Sequence, residues 1–332
     1  MNRREFGRTG VIGLAGFAWP QQRPQAAPRA EAGASYRYVH VDVFTDRRLQ
    51  GNQLLVFAQP AGLDVDTMQA LTRESNYSEC TFVFPPEAAG VDHRVRIFTR
   101  TAETPFAGHP TLGTAFALAH AGVIKPGTPR TVFGLGVGPT NVDLEWKDGR
   151  LVVAWMTQLK PTFGKSINDT AALASAIGVE ATAIGGPHAP QEVNCGSTFL
   201  VVPLASRKAV DAAVLDRSKA DAVFAAAGIQ RRGIYVFSNE RGPDGATAYT
   251  RLLGTGGTED PGTGSAAGPA GCFMAQHRFI PPEQAGAIEI LQGILVRRPC
   301  HIHVNVTMAG PDVTGVKVGG GAVVVGEGTM SV

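Results

Sequence analysis

The stretch Asp260-Pro261-Gly262-Thr263-Gly264-Ser265 is followed by a run without charged side chains that ends at Arg278. Its glycines predict a tight turn, and the apolar residues that follow predict a helix buried on all sides. The unpaired N–H groups at a helix start and the helix dipole together attract an anion. The stretch therefore predicts an acidic side chain, Asp260, beside a binding site for an anion.

A similar segment occurs in the first half of the chain. Pro105-Phe106-Ala107-Gly108-His109-Pro110-Thr111 opens a second run without Asp, Glu, Lys or Arg, which extends to Ile124. Pro110 suits the first turn of a helix, and Gly122 suits its end. Another segment, Asn76-Tyr77-Ser78-Glu79, places a carboxylate just before an apolar strand. Two helix starts and two acids indicate proton chemistry on a small anionic molecule, without a cofactor.

The order of the predicted elements indicates that one structural unit occurs twice. In each half, strands precede and follow one helix that is apolar all round. Such a helix has to be buried, and a sheet curled around it would bury it. We expect an α+β fold of two similar halves, each a curled, mostly antiparallel sheet around a central buried helix. The predicted N-terminal half comprises residues 36–158 and 322–332, and the predicted C-terminal half comprises residues 159–321.

The composition argues against several classes of protein. The net charge is +2 over 332 residues, and no basic cluster follows the N-terminal segment, so we expect no nucleic-acid partner. The four cysteines match no metal-binding spacing and could be buried thiols or disulfides. His301 and His303 share one face of a predicted strand beside Cys300. We nevertheless predict no metal site, because no further ligand lies at a usual zinc spacing.

Residues 1–34 have the features of an export signal. Arg3 and Arg4 precede a short apolar segment, residues 11–19, and Ala32-Gly33-Ala34 fits a cleavage site. Paired arginines in this position are typical of twin-arginine signals, which predicts a periplasmic or otherwise exported protein. The apolar segment is too short to span a bilayer, so we expect no stable membrane insertion once the signal is removed.

Three side chains are candidates for catalysis: Glu79, His109 and Asp260. Glu79 lies between a predicted helix and a predicted strand, where burial would raise its pKa toward the range useful for acid–base catalysis. A neutral His109 at the start of a buried helix could donate a hydrogen bond to a substrate oxygen or accept one. Asp260 would lie close to the α-carbon of an acid bound at the adjacent helix start. The residues expected to hold the substrate are Gly108, Gly262, Thr263, Gly264 and Ser265.

Each candidate also has a purely structural interpretation. Asp260 could be a helix cap, Glu79 a solvated loop residue, and His109 a core histidine bonded to a backbone carbonyl group. The catalytic interpretation requires that the helix starts at Gly108-His109 and Gly262-Thr263-Gly264 face each other across one cleft.

Five segments occur in a characteristic order: Gly51-Asn52, Asn76-x-Ser78-Glu79-x-Thr81, Arg96-Ile97-Phe98-Thr99, Pro105-Phe106-Ala107-Gly108-His109-Pro110-Thr111-Leu112-Gly113-Thr114 and Glu259-Asp260-Pro261-Gly262-Thr263-Gly264-Ser265-Ala266. Together they resemble the phenazine-biosynthesis PhzF-like isomerases, from about Tyr36 to the C-terminus. The resemblance implies the diaminopimelate-epimerase fold. It also implies isomerisation or epimerisation by proton movement at carbon, without a cofactor, in a protein that is often a homodimer.

The resemblance also implies roles for individual residues. Glu79 is similar to the family's catalytic acid or base. His109, Asp260 and Ser265 match other active-site positions, and Gly264 matches the anion-binding turn.

The chain also departs from the usual family pattern, which leaves its substrate open. Gln53 replaces a proline, and Arg297-Arg298-Pro299-Cys300 replaces Gly-Arg-Pro-Ser. We expect a cofactor-independent isomerase or epimerase that moves a proton at carbon of a small carboxylic or amino acid. Glu79 alone would shift a double bond, whereas Asp260 as a second base would give a racemase or epimerase. The remaining alternative is a periplasmic metabolite-binding protein of the same fold without turnover.

Overall fold

A computed structural model describes residues 33–254 and 259–332 of the chain. The predicted export signal therefore lies outside the described residues, apart from Gly33 and Ala34. Within the described ranges, no helix has the length and apolar character needed to cross a membrane.

The described residues form α-helices and a large β-sheet. The helices are α1 (Val65–Ser75), α2 (Gly108–His120), α3 (Thr170–Ala176), α4 (Arg207–Ala212), α5 (Arg217–Ala227) and α6 (Gly264–Gln276). The strands of the first half and the C-terminal strand are β1 (Ser35–Val43), β2 (Asn52–Phe57), β3 (Glu79–Phe84), β4 (His93–Thr99), β5 (Glu103–Thr104), β6 (Arg130–Leu135), β7 (Gly138–Lys147), β8 (Arg150–Thr157) and β17 (Ala322–Ser331). The others are β9 (Thr162–Ser166), β10 (Gln191–Asn194), β11 (Thr198–Pro203), β12 (Gly233–Ser238), β13 (Ala248–Leu253), β14 (Ile288–Gln292), β15 (Cys300–Ala309) and β16 (Asp312–Gly320).

The strand pairing repeats one pattern twice, in the series β17-β1-β2-β3-β4-β6-β7-β8 and in the series β9 to β16. In both series the successive pairs are antiparallel, antiparallel, parallel, antiparallel, parallel, antiparallel and antiparallel. This repetition confirms the predicted fold class. The residue boundaries of the two halves stay a prediction, because β8 pairs with β16 and joins both series into one sheet.

Each series of strands surrounds one apolar helix. Helix α2 contacts β1, β2, β3, β8 and β17, and helix α6 contacts β10, β11, β12, β15 and β16. Every residue of α2 from Gly108 to Leu118 is buried, and so is every residue of α6 from Gly264 to Ala275 except Ser265. The two runs without charge therefore form helices because burial of their whole surface releases water from apolar groups.

The two helices meet at their N-terminal ends. A Cβ atom on Gly108 would lie 2.6 Å from the carbonyl carbon of Gly264 and 2.6 Å from the backbone nitrogen of Ser265. Non-bonded carbon and nitrogen atoms do not approach so closely, and backbone atoms cannot rotate away as a side chain can. Glycine at position 108 therefore allows the direct contact between the two helix starts.

The sequence pattern differs from the structure at several strands. The pattern of 294–306 predicts one strand, but the strand begins only at Cys300, because Gly293 and Arg297 have φ of +83° and +58° and form a turn. The pattern of 313–326 also predicts one strand, but this segment is divided into β16 and β17 at Gly321. Strands β9 and β10 were not predicted, since their short sequences lack a clear alternation of apolar and polar residues.

The contact between the helix starts gives the first testable prediction. We expect Gly108→Ala to lower the free energy of unfolding by about 1–3 kcal/mol, because the added methyl group overpacks a contact made by backbone atoms. Urea denaturation followed by circular dichroism measures this change. Gly185→Ala is the matched control, since a Cβ atom at Gly185 meets nothing within 4 Å. Equal losses of stability in the two variants would contradict the close contact.

Candidate active site

A cavity of about 720 Å³ opens beside the paired helix starts. Four of the predicted site residues line it: Glu79, Asp260, Thr263 and Ser265. Its wall also includes residues that the sequence analysis did not single out, from the α1–β3 loop, the β4–β5 turn, β11, β13 and the loop before β15. Both predicted acids therefore line one cavity. The two helix starts touch rather than face each other across a cleft, and Gly108, His109, Gly262 and Gly264 are not among the lining residues.

Glu79 is the first residue of β3, and its side chain is 20% exposed. Burial raises the pKa of Glu79 from its usual 4.5 to about 8, and the negative charge of Asp260 adds to the rise. A hydrogen bond from Ser78 and the positive charge of Arg100 act in the opposite direction. A carboxyl group with a pKa near neutrality can both donate and accept a proton at the pH of most cells.

His109 lies in the first turn of α2, behind Glu79. Its Nε2 atom is 3.6 Å from Oε2 of Glu79, and both atoms are buried without a hydrogen-bond partner among the described residues. Burial lowers the pKa of His109 from 6.5 to about 3, so the imidazole is neutral at pH 7. A neutral ring can donate one hydrogen bond and accept another. Neither atom is exposed to solvent and His109 does not line the cavity, so contact of His109 with a substrate stays a prediction.

The carboxylate of Asp260 is held by three hydrogen-bond donors. The side-chain amide of Asn52 donates to Oδ1 over 2.7 Å, and the hydroxyl of Thr263 donates to Oδ2 over 2.6 Å. The N–H group of Gly262 is the third donor. Burial raises the pKa of Asp260 to about 6, and the charge of Glu259 contributes to this rise, whereas the three donors lower the pKa.

The two acids therefore differ in their environment. Asp260 accepts three hydrogen bonds, which favour its ionised form, while one oxygen of Glu79 has no partner among the described residues. Nearby carboxyl groups titrate as a coupled pair, since two negative charges repel each other. Between their two pKa values, the shared proton resides mainly on Glu79 and the negative charge on Asp260.

In the structure, Gly262 and Thr263 form hydrogen bonds with other residues of the site. The N–H group of Gly262 donates to Asp260, and its carbonyl oxygen accepts a hydrogen bond from Asn52 over 2.9 Å. The backbone N–H group of Thr263 donates to Oε1 of Gln292 over 3.0 Å, and its hydroxyl donates to Asp260. Because these groups are already bonded, direct substrate binding by Gly262 and Thr263 stays a prediction that the geometry does not favour.

The helix starts themselves carry no side-chain cap within the described structure. Ala107, which precedes α2, lacks a polar side chain, and Thr263, which precedes α6, directs its hydroxyl to Asp260. Gly108 contacts the backbone of Gly264, so the first N–H groups of both helices are close together. Ser265 lines the cavity beside them. Uncapped helix starts attract anions in general, and an anion site at these two stays a prediction.

Asn52 and Gln292 are buried amides whose importance the sequence analysis missed. Asn52 lies 3.1 Å from Nδ1 of His109 and donates to Asp260, so it joins the two halves of the chain. Gln292 donates to the backbone carbonyl of Asp260 over 2.9 Å and accepts a hydrogen bond from Tyr235. Asn52 begins an apolar strand and Gln292 ends one. This position in a strand is a weak signal that many surface residues share.

Two ion pairs hold the wall of the cavity. Arg251 binds Glu259 through both Nε and Nη2, and its Nη1 donates to carbonyl oxygens at the end of α4. Arg298 donates to Asp42 over 2.6 Å and to the carbonyl oxygens of Gly51 and Gln50. Most of the charge on Glu259 and Arg298 is therefore compensated within the protein.

The other candidate sites are structural. All four cysteines are free and buried in the described structure, and Sγ of Cys195 lies 3.9 Å from Sγ of Cys272. His301 forms a 2.7 Å contact with Glu289. Among the described residues, no group of three or more His, Cys, Asp or Glu side chains could hold a metal ion.

Comparison with known proteins identifies the family. The model of the family described as "Phenazine biosynthesis-like protein" matches residues 41–328. The trans-2,3-dihydro-3-hydroxyanthranilate isomerase of Pseudomonas aeruginosa is 38% identical, over 88% of this chain and 98% of the relative. An uncharacterized isomerase of Mesorhizobium japonicum is 33% identical, over 88% of this chain and 98% of the relative.

Solved structures agree with this match. A PhzF-family phenazine biosynthesis protein of Bacillus anthracis has a TM-score of 0.79 and 22% identity, over 90% of this chain and 100% of that protein. A predicted epimerase of Pseudomonas aeruginosa has a TM-score of 0.74 and 29% identity, over 89% of this chain and 99% of that protein. The fold and the family define an enzyme of the isomerase class. The chain belongs to the phenazine biosynthesis-like protein family and is a PhzF-like isomerase.

The raised pKa of Glu79 predicts a pH dependence of stability. Between about pH 4.5 and about pH 8, folded Glu79 holds a proton that unfolded Glu79 releases. Stability therefore falls as pH rises through this window. Glu79→Gln lacks this loss, so we expect the stability of the variant, relative to the unmodified protein, to rise with pH and level off above about 8.

Urea denaturation at several pH values measures this difference. Glu87→Gln is the matched control, because the Glu87 side chain is 69% exposed and lies outside the cavity lining. A stability difference for Glu79→Gln that stays constant from pH 5 to pH 8 would show that Glu79 is not buried in the folded protein in this way.

Proposed function

We propose that the protein is a cofactor-independent isomerase or epimerase that moves a proton at a carbon atom of a carboxylic or amino acid. The observation that carries this proposal is that two acids, Glu79 and Asp260, line one cavity together with Ala107 and Thr263, which precede two helices without side-chain caps. The isomerase activity of the named relatives supports the reaction class.

The substrate carboxylate would bind at the first N–H groups of α2 and α6, near Gly108 and Gly264, with the hydroxyl of Ser265 beside them. Removal of a proton from the adjacent carbon creates negative charge on the same carboxylate. Donors fixed in place before the reaction stabilise this charge in the transition state, and each can contribute about 3–4 kcal/mol. The contact between the helix starts keeps these donors in place.

Glu79 would transfer the proton. Its raised pKa keeps a proton available at neutral pH, and its anionic form is basic enough to take one from carbon next to a stabilised carboxylate. His109, neutral and 3.6 Å from Glu79, would hold a polar group of the substrate and orient it toward the acid.

Two reaction outcomes remain within this proposal. If Glu79 returns the proton to a different carbon on the same face, the double bond shifts. If Asp260 instead takes the proton from one face and Glu79 delivers one to the opposite face, configuration is inverted. The three donors on Asp260 favour its ionised state, in which it would act as the base, with Glu79 as the acid. The first compound to test is trans-2,3-dihydro-3-hydroxyanthranilate, on which a 38% identical relative acts by name.

Location and assembly are part of the proposal. The sequence of residues 1–34 supports export through the twin-arginine route. Cell fractionation of the unmodified protein and of the variant with Arg3→Lys and Arg4→Lys tests the export. The family resemblance supports a homodimer, which size-exclusion chromatography with light scattering would detect.

Glu79→Gln should abolish proton transfer at this position without unfolding the protein. If Glu79 is the only acid, we expect incorporation of solvent deuterium at the reacting carbon, followed by NMR, to fall at least about 100-fold, because Gln cannot exchange a proton with carbon. If Asp260 is a second base, exchange continues on its own face but inversion of configuration is lost. Circular dichroism checks the fold, and Glu87→Gln controls for the loss of one carboxylate. Full exchange with an unchanged product in Glu79→Gln would refute the assignment of Glu79 as the acid or base.

Asp260→Asn distinguishes the two outcomes. In a two-base epimerase, this variant should lose inversion of configuration while Glu79 still exchanges a proton on its own face, so deuterium enters without a change in chirality. In a one-acid isomerase, the product is unchanged and only the rate falls. Chiral chromatography of the product measures the difference. Ligand binding without exchange in any acid tested would instead favour the non-catalytic binding protein.

A further inference from the structure

A network of buried polar side chains leads from strand β12 to Asp260. It consists of Tyr235, Gln292 and Thr263, which are each at most 7% exposed. The hydroxyl of Tyr235 lies 2.9 Å from Oε1 of Gln292. Nε2 of Gln292 lies 3.0 Å from Oγ1 of Thr263, and that oxygen lies 2.6 Å from Oδ2 of Asp260. Successive hydrogen bonds therefore connect a tyrosine of the core to one of the two acids of the site.

Two backbone groups fix the orientation of the Gln292 amide. The backbone N–H group of Thr263 donates to one end of this amide over 3.0 Å, and the backbone carbonyl oxygen of Asp260 accepts from the other end over 2.9 Å. A backbone N–H group only donates, and a carbonyl oxygen only accepts. The first end is therefore the oxygen, Oε1, and the second is the nitrogen, Nε2. Reversing the amide would break both bonds.

The orientation of the amide determines where the hydrogens of the network point. The two hydrogens of Nε2 point to the carbonyl oxygen of Asp260 and to Oγ1 of Thr263. Because Oγ1 accepts from Gln292, its own hydrogen points to Oδ2 of Asp260. Oε1 of Gln292 can only accept, so the hydroxyl of Tyr235 donates to it. This bond polarises the amide and strengthens the hydrogen bonds that Nε2 donates.

The second oxygen of Asp260 is bound in a similar way. Nδ2 of Asn52 donates to Oδ1 of Asp260 over 2.7 Å and to the carbonyl oxygen of Gly262 over 2.9 Å. Since that carbonyl oxygen only accepts, it fixes the orientation of the Asn52 amide. Both oxygens of Asp260 therefore face donors whose hydrogens are directed by backbone groups. A proton on either oxygen would displace one of these donors, so the arrangement favours the carboxylate.

We infer that Gln292 and Tyr235 are positioning residues, which direct the hydroxyl of Thr263 at Asp260 and thereby keep the carboxylate of Asp260 ionised. Neither Gln292 nor Tyr235 lines the cavity, so both act through Thr263 rather than on a substrate. The role of Asp260 as a base rests on the proposed function, whereas its ionisation does not.

Other ionisable groups also act on Asp260, and the test has to separate them from the network. The charges of Asp260 and Glu79 repel each other, and the charge of Glu259 raises the pKa of Asp260. The thiol of Cys300 and the hydroxyl of Tyr235 are close enough for the charge of Asp260 to raise their pKa. Neighbouring carboxyl groups titrate together. Replacing Glu79 by Gln therefore removes the acid that is coupled to Asp260.

Titration of Asp260 tests the inference without a substrate. NMR of the Glu79→Gln protein, with isotope-labelled side-chain carboxyl carbons in its aspartates, follows this titration, and Asp260→Asn identifies the signal. We expect Gln292→Met, which has a side chain of similar length but no amide, to raise the pKa of Asp260 by about 1, because a hydrogen bond to a charged group is weakened. Tyr235→Phe removes only the polarising donor and should raise the pKa of Asp260 by about 0.3.

Tyr249→Phe is the matched control. It also removes one tyrosine hydroxyl, but this hydroxyl donates to Asp211, outside the network. We expect the pKa of Asp260 to be unchanged in this variant. Circular dichroism checks the fold of every variant. If Gln292→Met does not fold, Tyr235→Phe and its control decide the outcome.

A double variant separates action through Thr263 from a general loss of packing. Thr263→Val removes the hydroxyl and should raise the pKa of Asp260 by about 1, whereas Thr263→Ser should keep it unchanged. Adding Gln292→Met to Thr263→Val should raise the pKa no further, because the hydroxyl through which Gln292 acts is absent. A further rise of about 1 in the double variant, or an unchanged pKa in both Gln292→Met and Tyr235→Phe, would overturn the inference.

Failure of the proposed function gives a different result. With Glu79 intact and Asp260 as the base, turnover of trans-2,3-dihydro-3-hydroxyanthranilate should rise with pH as Asp260 ionises, and Tyr235→Phe should move this rise to higher pH by about 0.3. If the titration shifts as expected but no acid exchanges deuterium, the positioning roles stand and the proposed reaction is wrong. If turnover occurs but the titration does not shift in the variants, the reaction stands and the positioning roles are wrong.

Discussion

The contact between the starts of α2 and α6 is the constraint on which the site depends. Gly108 and the backbone of Gly264 and Ser265 touch, so neither helix can move along its axis without disturbing the other. Each helix is held by its own series of strands, and the contact therefore fixes the two halves relative to each other at the cavity. The acids of the site lie next to these helices: Glu79 begins β3, which contacts α2, and Asp260 directly precedes the turn into α6.

Hydrogen bonds explain how the structure tolerates its buried acids. Burying a carboxylate costs free energy unless hydrogen bonds or charges compensate it. Asp260 is compensated by Asn52, Thr263 and Gly262, whereas Glu79 remains undercompensated and keeps its proton. The protein thus holds one stabilised and one destabilised acid in one cavity. Proton transfer requires such a difference, and a helix cap or a solvated loop residue does not.

Some parts of the site could be predicted from the sequence and others could not. The charge-free runs predicted α2 and α6 because burial on all sides leaves a compositional trace. Asp260 directly precedes one of these segments, whereas Glu79 was recognised by its place before an apolar strand. Asn52 belongs to a segment of the family resemblance, but its hydrogen bonds to the site, like those of Gln292, left no such trace. A single buried amide is recognisable only when its partners from distant segments are known. The place of Gly262 shows the same limit. The glycine at position 262 correctly predicted a turn. Whether the N–H group of Gly262 binds a substrate or Asp260 depends on which side chain lies beside it in the folded protein.

The pairing of β1 with β17 has a consequence for how the chain acquires its structure. Ser35 lies opposite Ser331 in this pair, 296 positions away. During synthesis on the ribosome, β1 therefore waits for its neighbour until nearly the whole chain has emerged. Contacts between such distant positions slow folding, and the unpaired edge of β1 is open to association in the meantime. The series of strands that contains β1 is thus completed only after the series β9 to β16 has been synthesised, although β1 is made first.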